Sequence, residues 1–316
     1  MAGIRSGPIA AAILALGAAF IWATYYIIVL RGTPGAGPAG LVAYPFLAGG
    51  LAYLALATVQ GHLRAFLALF RSPTAYLRIG LIVGMQVSIL VATYETGAVD
   101  TSLLSLIADV VLTPLLIFLL FREGGARLRS RTLPLGMTLS LAGATLTIVG
   151  GGAVAPLRGV AILVAPIVPL TVAFYFLAVA RTAREIPSTA LVAHATIGGA
   201  VAVFALSPLF PGGVSSLSLG APTTVVWTIV LGVTSFFLAP LLYFRAIELG
   251  GLVLSALLMA SIPVFTLGLS AVFLGITPTL ASAAGVPIAV VGGILAIQGE
   301  HPPWTPKYGA SEQAGH

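Results

Sequence analysis

Residues 136–150, GMTLSLAGATLTIVG, place Gly136, Ser140, Gly143, Thr147 and Gly150 at steps of three and four. Residues 285–299, GVPIAVVGGILAIQG, repeat that ladder as Gly285, Ala289, Gly292, Ala296 and Gly299, a constant 149 positions later. Such steps keep the small residues on one helical face, where a neighbouring helix approaches closely in lipid. A second correspondence, at an offset of 153, pairs Glu95 with Glu248, Gly97 with Gly250, Ser102 with Ser255 and Thr113 with Thr266. The change of offset fits a longer loop in the first half, at the Arg-rich stretch 122–132. The chain therefore reads as a duplicated membrane unit.

Composition agrees with a bilayer setting. Hydrophobic residues make up 59% of the 316 and charged ones 7%, with a mean hydropathy of +1.12, far too apolar for a soluble domain of this length. A span needs about 20 apolar residues. Ten candidates lie between charged or Pro/Gly-rich breaks, at 8–30, 38–59, 76–94, 101–121 and 133–149, then 159–180, 188–209, 222–244, 251–274 and 279–298. These runs are continuous and do not alternate, which excludes a β-barrel. The first is longer than the core of a secretory signal and reads as a retained helix.

The net charge of +6 is explained by placement and not by a nucleic-acid partner. With a cytoplasmic amino terminus, twelve basic residues fall inside, among them Arg64, Arg71, Arg78, the cluster at 122–131, Arg245 and Lys307, and only Arg31 and Arg158 fall outside. That bias predicts both termini on the cytoplasmic side of the inner membrane. Five spans per half then turn the second half over. The expected fold is an all-α membrane protein of ten transmembrane helices, arranged as two inverted five-helix repeats around a central cavity. The repeats are expected at 1–152 and 153–299, with a disordered cytoplasmic tail at 300–316. Residues 63–70 read as a short helix on the cytoplasmic surface. Pro166 and Pro169 are expected to interrupt the sixth span.

An ionisable group deep in a membrane costs about 2.5 to 3.5 kcal/mol on insertion, so Asp109, eight residues into the fourth span, needs a role. Ser102, Ser105, Asp109 and Thr113 form one polar stripe. It suits a face turned to a substrate cavity, where Asp109 receives a cationic group or carries a proton. His194, in the seventh span, is a candidate relay partner. Trp22, Tyr25, Tyr175 and Trp227 are candidates to line the lumen and stack on flat or cationic substrates. Gln86 adds hydrogen-bonding capacity, and Ser255 and Thr266 mirror the stripe in the ninth span. Glu248 and Arg245, three apart, are expected to pair locally. There is no Cys, no cofactor or metal is called for, and neither a Gly-x-Ser-x-Gly elbow nor a His-Glu-x-x-His helix appears. An enzyme is not expected. The expected partners are a small-molecule substrate and the lipid bilayer, and oligomeric state is left open.

Leu242, Tyr243, Arg245, Ala246, Ile247, Glu248 and Gly250, followed by Ser255, Leu257, Leu258, Ser261, Pro263, Val264 and Phe265 and by Phe273, Leu274 and Gly275, resemble the EamA-like ten-helix exporters of the drug/metabolite transporter superfamily. Ala19, Trp22 and Ala23, with Ser102 to Ser105, carry the likeness in the first half. Val110 stands where that pattern has proline and Ile276 where it has glutamate, whereas Glu123 keeps the glutamate of the first half. The resemblance implies export of small organic metabolites, amino acids or drugs by alternating access, either coupled to protons or as uncoupled facilitation or exchange. Labelling of the two chain ends from the same, cytoplasmic face is the expected outcome of a topology experiment; ends on opposite faces would remove the inverted repeat.

Overall fold

The computed structural model describes residues 6–113, 115, 116, 119, 131–150, 160–182, 186–250 and 252–298. Among them all regular structure is helical. The helices are α1 (Ser6–Ile27), α2 (Gly40–Val59), α3 (Leu63–Leu69), α4 (Pro73–Thr96), α5 (Ala98–Ile107), α6 (Thr132–Gly150) and α7 (Val160–Thr182). They continue with α8 (Ser188–Leu206), α9 (Pro222–Leu231), α10 (Ala239–Gly250), α11 (Leu252–Met259), α12 (Ile262–Leu274) and α13 (Leu280–Gln298). Three π-helical segments extend or join them: Ile28–Gly32 after α1, Ala108–Leu112 after α5, and Gly232–Leu238 between α9 and α10. The Arg-rich loop at 122–130, Glu123, Pro114, the connection at 151–159 and the tail from 300 lie outside the described residues.

Six stretches among the described residues are long and apolar enough to cross a membrane: Ile9–Gly32, Gly40–Val59, Pro73–Thr96, Thr132–Val149, Ser188–Leu209 and Pro222–Leu249. Ten were expected. The remaining four candidates are also helical. The fourth changes from α to π after Ile107 and the ninth is divided at Ala260 and Ser261, while the sixth and tenth are the continuous helices α7 and α13.

Local sequence explains where helices begin and turn. Pro73, Pro222 and Pro263 sit in the first turn of their helices, where a missing N–H costs nothing and the fixed φ is already helical. Gly97 adopts φ +93 between α4 and α5, a conformation closed to side-chain-bearing residues, and so joins two helices without a loop. Two expectations are corrected. The ninth span is two helices, because Pro263 lacks an N–H and the chain turns at Ala260 and Ser261. The sixth is not interrupted, since α7 runs through Pro166 and Pro169. In lipid a helix runs through proline where its surroundings take up the groups that the ring frees.

The repeated glycine ladders pack on each other. A Cβ added to Gly136 would stand 2.3 Å from the Ala296 nitrogen, one on Gly143 2.3 Å from the Ala289 nitrogen, and one on Gly292 2.2 Å from the Ser140 nitrogen. The pairings run in opposite senses, so α6 and α13 are antiparallel and touch backbone to backbone. Around this seam α1 packs on α10, α11 and α12, α7 on α4, and α8 on α2 and α4. The short helix α3 forms as expected, burying Phe66 and Leu69 while Arg64 and Leu67 stay exposed. At the opposite end of the bundle Arg31 donates to the Phe273 carbonyl in the last turn of α12.

Gly143→Ala is expected to destabilise the purified protein by about 1 to 3 kcal/mol, because the added methyl meets backbone that has no rotamer to change. Gly268→Ala, with nothing within 4 Å of its Cβ position, is expected to be neutral or to stabilise by about 0.5 to 1 kcal/mol. Thermal melts of the two variants in one detergent decide.

Candidate functional site

A small cleft of about 20 Å³ lies between α5 and the broken ninth span, lined by Ser102, Ser105 and Leu106 on one side and by Met259, Ile262 and Pro263 on the other. Both walls depart from regular helix at equivalent places. Ala108–Leu112 is π-helical in the first half, and the turn at Ala260 and Ser261 begins the matching stretch of the second, 153 positions on. Each device loosens the α-helical bonding at membrane depth, and π segments of this kind concentrate at functional sites.

Hydroxyls line the approach. Ser102 Oγ donates to the Val99 carbonyl at 2.7 Å, Ser105 Oγ to that of Thr101 at 3.1 Å and Thr101 Oγ1 to that of Gly97 at 2.8 Å. Each proton is spent on its own helix. What Ser102 and Ser105 offer the cleft is therefore oxygen lone pairs, which accept from an ammonium or another N–H group. Asp109 lies in the π segment one turn beyond Ser105, and its side chain falls outside the description. Thr113 Oγ1 is buried and has no partner among the described residues. In the second half Thr266 donates to the Ile262 carbonyl at 2.9 Å and is fully buried, as is Ser255.

Trp22 and Tyr25 of α1 reach the same region from another side. Trp22 Nε1 donates to the Ser235 carbonyl at 3.0 Å. That carbonyl lies in the π segment Gly232–Leu238, and Pro240, five residues on, has no N–H with which to complete a π-type bond. The indole supplies the donor that the sequence withholds. Tyr25 is buried, accepts from Gln86 Nε2, and meets Tyr26 and Phe236 edge-on with ring centres 5.4 and 6.2 Å away. Ile262 packs against the clusters that contain Trp22 and Tyr25 and also lines the cleft. Of the candidates, Ser102 and Ser105 line the cleft itself, while Trp22 and Tyr25 lie in apolar clusters against which Ile262 also packs.

Three other candidates lie elsewhere. Trp227 is 45% exposed and rests on Gly32, and it does not line the cleft. Tyr175 is buried on α7 beside Arg78. His194 is fully buried on α8, its ring edge-on to Phe70 and Phe66 at 4.4 and 6.4 Å. Arg245 and Glu248 pair at 2.5 Å on the surface, as expected from their spacing. Sequence reasoning missed Met259 and Ile262, whose importance comes from the helix break beside them, and the signal for that break was Pro263. It also passed over Asp100, buried in the first turn of α5, where the helix dipole favours a carboxylate.

Residues 159–298 match the EamA-like transporter family, whose members are membrane transporters and not enzymes. A protein known from its crystal structure shares 21% sequence identity with this chain, over 90% of this chain and 96% of that one, with a TM-score of 0.66; at that identity the likeness is one of fold. No curated protein matches. The chain is a multi-pass membrane protein whose residues 159–298 match the EamA-like transporter family.

Proposed function

We propose that the chain is a secondary transporter that exports small organic metabolites, such as amino acids or drugs, across the cytoplasmic membrane by alternating access. Its moving parts are two inverted five-helix repeats, 1–152 and 153–299, with both termini cytoplasmic. One observation carries the reading: helix packing survives exchange of the halves. The first span packs on the eighth (α1 on α10) as the sixth packs on the third (α7 on α4). The first packs on the ninth (α1 on α12) as the sixth packs on the fourth (α7 on Ala108–Leu112). The second packs on the eighth (α2 on Gly232–Leu238) as the seventh packs on the third (α8 on α4). The second and seventh, and the fifth and tenth, are counterparts that touch each other. This is the arrangement expected of an inverted-repeat transporter with its site between the repeats.

In this reading the substrate sits in the cleft between the fourth and ninth spans. Its N–H groups bond to Ser102 and Ser105, and its flat or cationic portion faces Trp22 and Tyr25. Asp109 receives a cationic group or a proton and releases it on the other side, so that export is driven by the proton gradient. Rocking of the halves opens the cleft to each face in turn.

With the purified protein in proteoliposomes, Asp109→Asn is expected to abolish flux driven by a pH gradient while substrate exchange persists. Gradient-independent flux in both proteins would make the chain an uncoupled facilitator. Ser105→Leu, which fills the cleft, is expected to lower flux at least about tenfold, equivalent to about 1.4 kcal/mol on the barrier, with little change in melting temperature. Unchanged flux would move the site elsewhere.

A further inference from the structure

The corner where α2, α4, α7 and α8 meet, at the end that carries Arg64, Arg71 and Arg245, holds polar groups that the cleft does not use. Arg78 of α4 is only 4% exposed. One terminal nitrogen donates to Thr182 Oγ1 at 3.0 Å and reaches Thr74 Oγ1 at 3.4 Å, while its Nε is buried with no acceptor. Tyr53 of α2 is 1% exposed, and its hydroxyl is likewise buried and unbonded. His194 of α8 is 0% exposed, with neither ring nitrogen bonded. Tyr53 shares a buried cluster with Phe66, whose ring meets that of His194, and Ile79, next to Arg78, lies against Gly198, one turn along α8 from His194.

The guanidinium Nε–H and the phenol O–H can donate, and a neutral imidazole adds one N–H beside one acceptor nitrogen. Buried donors demand acceptors. Among the described residues no carboxylate meets Arg78. Glu95 lies at the far end of α4, Asp100 follows it, and Glu248 is bonded to Arg245. A buried, uncompensated cation is costly, and the cost falls when an anion arrives with lone pairs for these donors. Guanidinium is the side chain best shaped to hold a carboxylate or phosphate.

We infer that this corner is an oxyanion site, in which Arg78, with Tyr53 and His194 beside it, binds the carboxylate or phosphate of a soluble molecule arriving at the basic end. The inference adds an anionic group to the substrate and rests on the transport reading for the route that molecule takes; binding requires no transport.

The test uses the full-length protein in a neutral detergent, with thermal shifts measured against inorganic phosphate and succinate and with sodium chloride at matched ionic strength as the reference. Either oxyanion is expected to raise the melting temperature above the chloride reference. Arg78→Gln is expected to remove that shift, Tyr53→Phe to weaken the apparent affinity about tenfold, as loss of one bond to a charged group does, and Arg245→Gln to leave it intact. Tyr53→Phe deletes one oxygen and keeps the ring, so it decides the matter if Arg78→Gln fails to fold. The inference falls if neither oxyanion gives a shift above chloride, or if the shift survives both Arg78→Gln and Tyr53→Phe. A shift produced only by nanodiscs containing phosphatidylglycerol, and not by phosphate or succinate, would assign the oxyanion to a lipid headgroup and overturn a soluble ligand. Loss of flux in Ser105→Leu with the oxyanion shift preserved would separate failure of this site from failure of the transport site.

Discussion

A long, close contact between the two halves is made of backbone. Along α6 and α13, Gly136, Gly143, Gly285 and Gly292 let two helices touch where any side chain would intrude. In lipid, where burial of apolar surface offers no advantage of one apolar neighbour over another, such close packing is a principal source of helix association. The other helices are arranged around it. The cluster that binds Leu103, Leu106 and Val110 of the cleft-bearing span rests on Val286, Ala289 and Ala296 of the same seam. Loosening the seam would release the wall that carries Ser102 and Ser105.

Membrane depth imposes a second constraint: every backbone group freed from a helix must find a partner. The chain meets it in different ways at its irregular points. Hydroxyls of Thr101, Ser102 and Ser105 fold back on carbonyls of their own helix. An indole from another helix reaches the Ser235 carbonyl left open beside Pro240. Ser261 Oγ donates to the Leu258 carbonyl at 2.6 Å, at the break before α12. These repairs allow non-helical backbone to persist beside a cleft.

Much of the architecture was legible because small residues at helical spacing leave a clear imprint. The ladder of Gly136 and its counterpart at Gly285 indicated faces for close helix approach, and the structure packs the two on each other. The polar stripe was legible for the same reason, and Ser105 indeed lines the cleft. Proline was harder to read. Pro166 and Pro169 leave α7 continuous, while Pro263 marks a true break; the outcome depends on whether neighbours repair the freed groups, which is a property of packing and not of local sequence. Trp227 and Trp22 look equivalent in the chain, yet one is half-exposed and the other bonds a buried carbonyl. Arg78 was absorbed into the tally of loop charges, because charge counting gives no measure of burial. Its surroundings come from four helices distant in sequence.

The bond from Arg31 to the Phe273 carbonyl has a consequence for the long-range field. A guanidinium held against the negative end of a helix has part of its charge offset locally by the helix dipole. Among the described residues Arg31 is the sole cation at that end, so the potential there is flatter than a count of basic residues suggests. At the other end Arg64 and Arg71 stand exposed, and their attraction extends over roughly a Debye length of about 8 Å at physiological salt. An anionic solute is therefore concentrated at one mouth of the bundle and barely drawn to the other, an asymmetry of encounter rates built in before any helix moves.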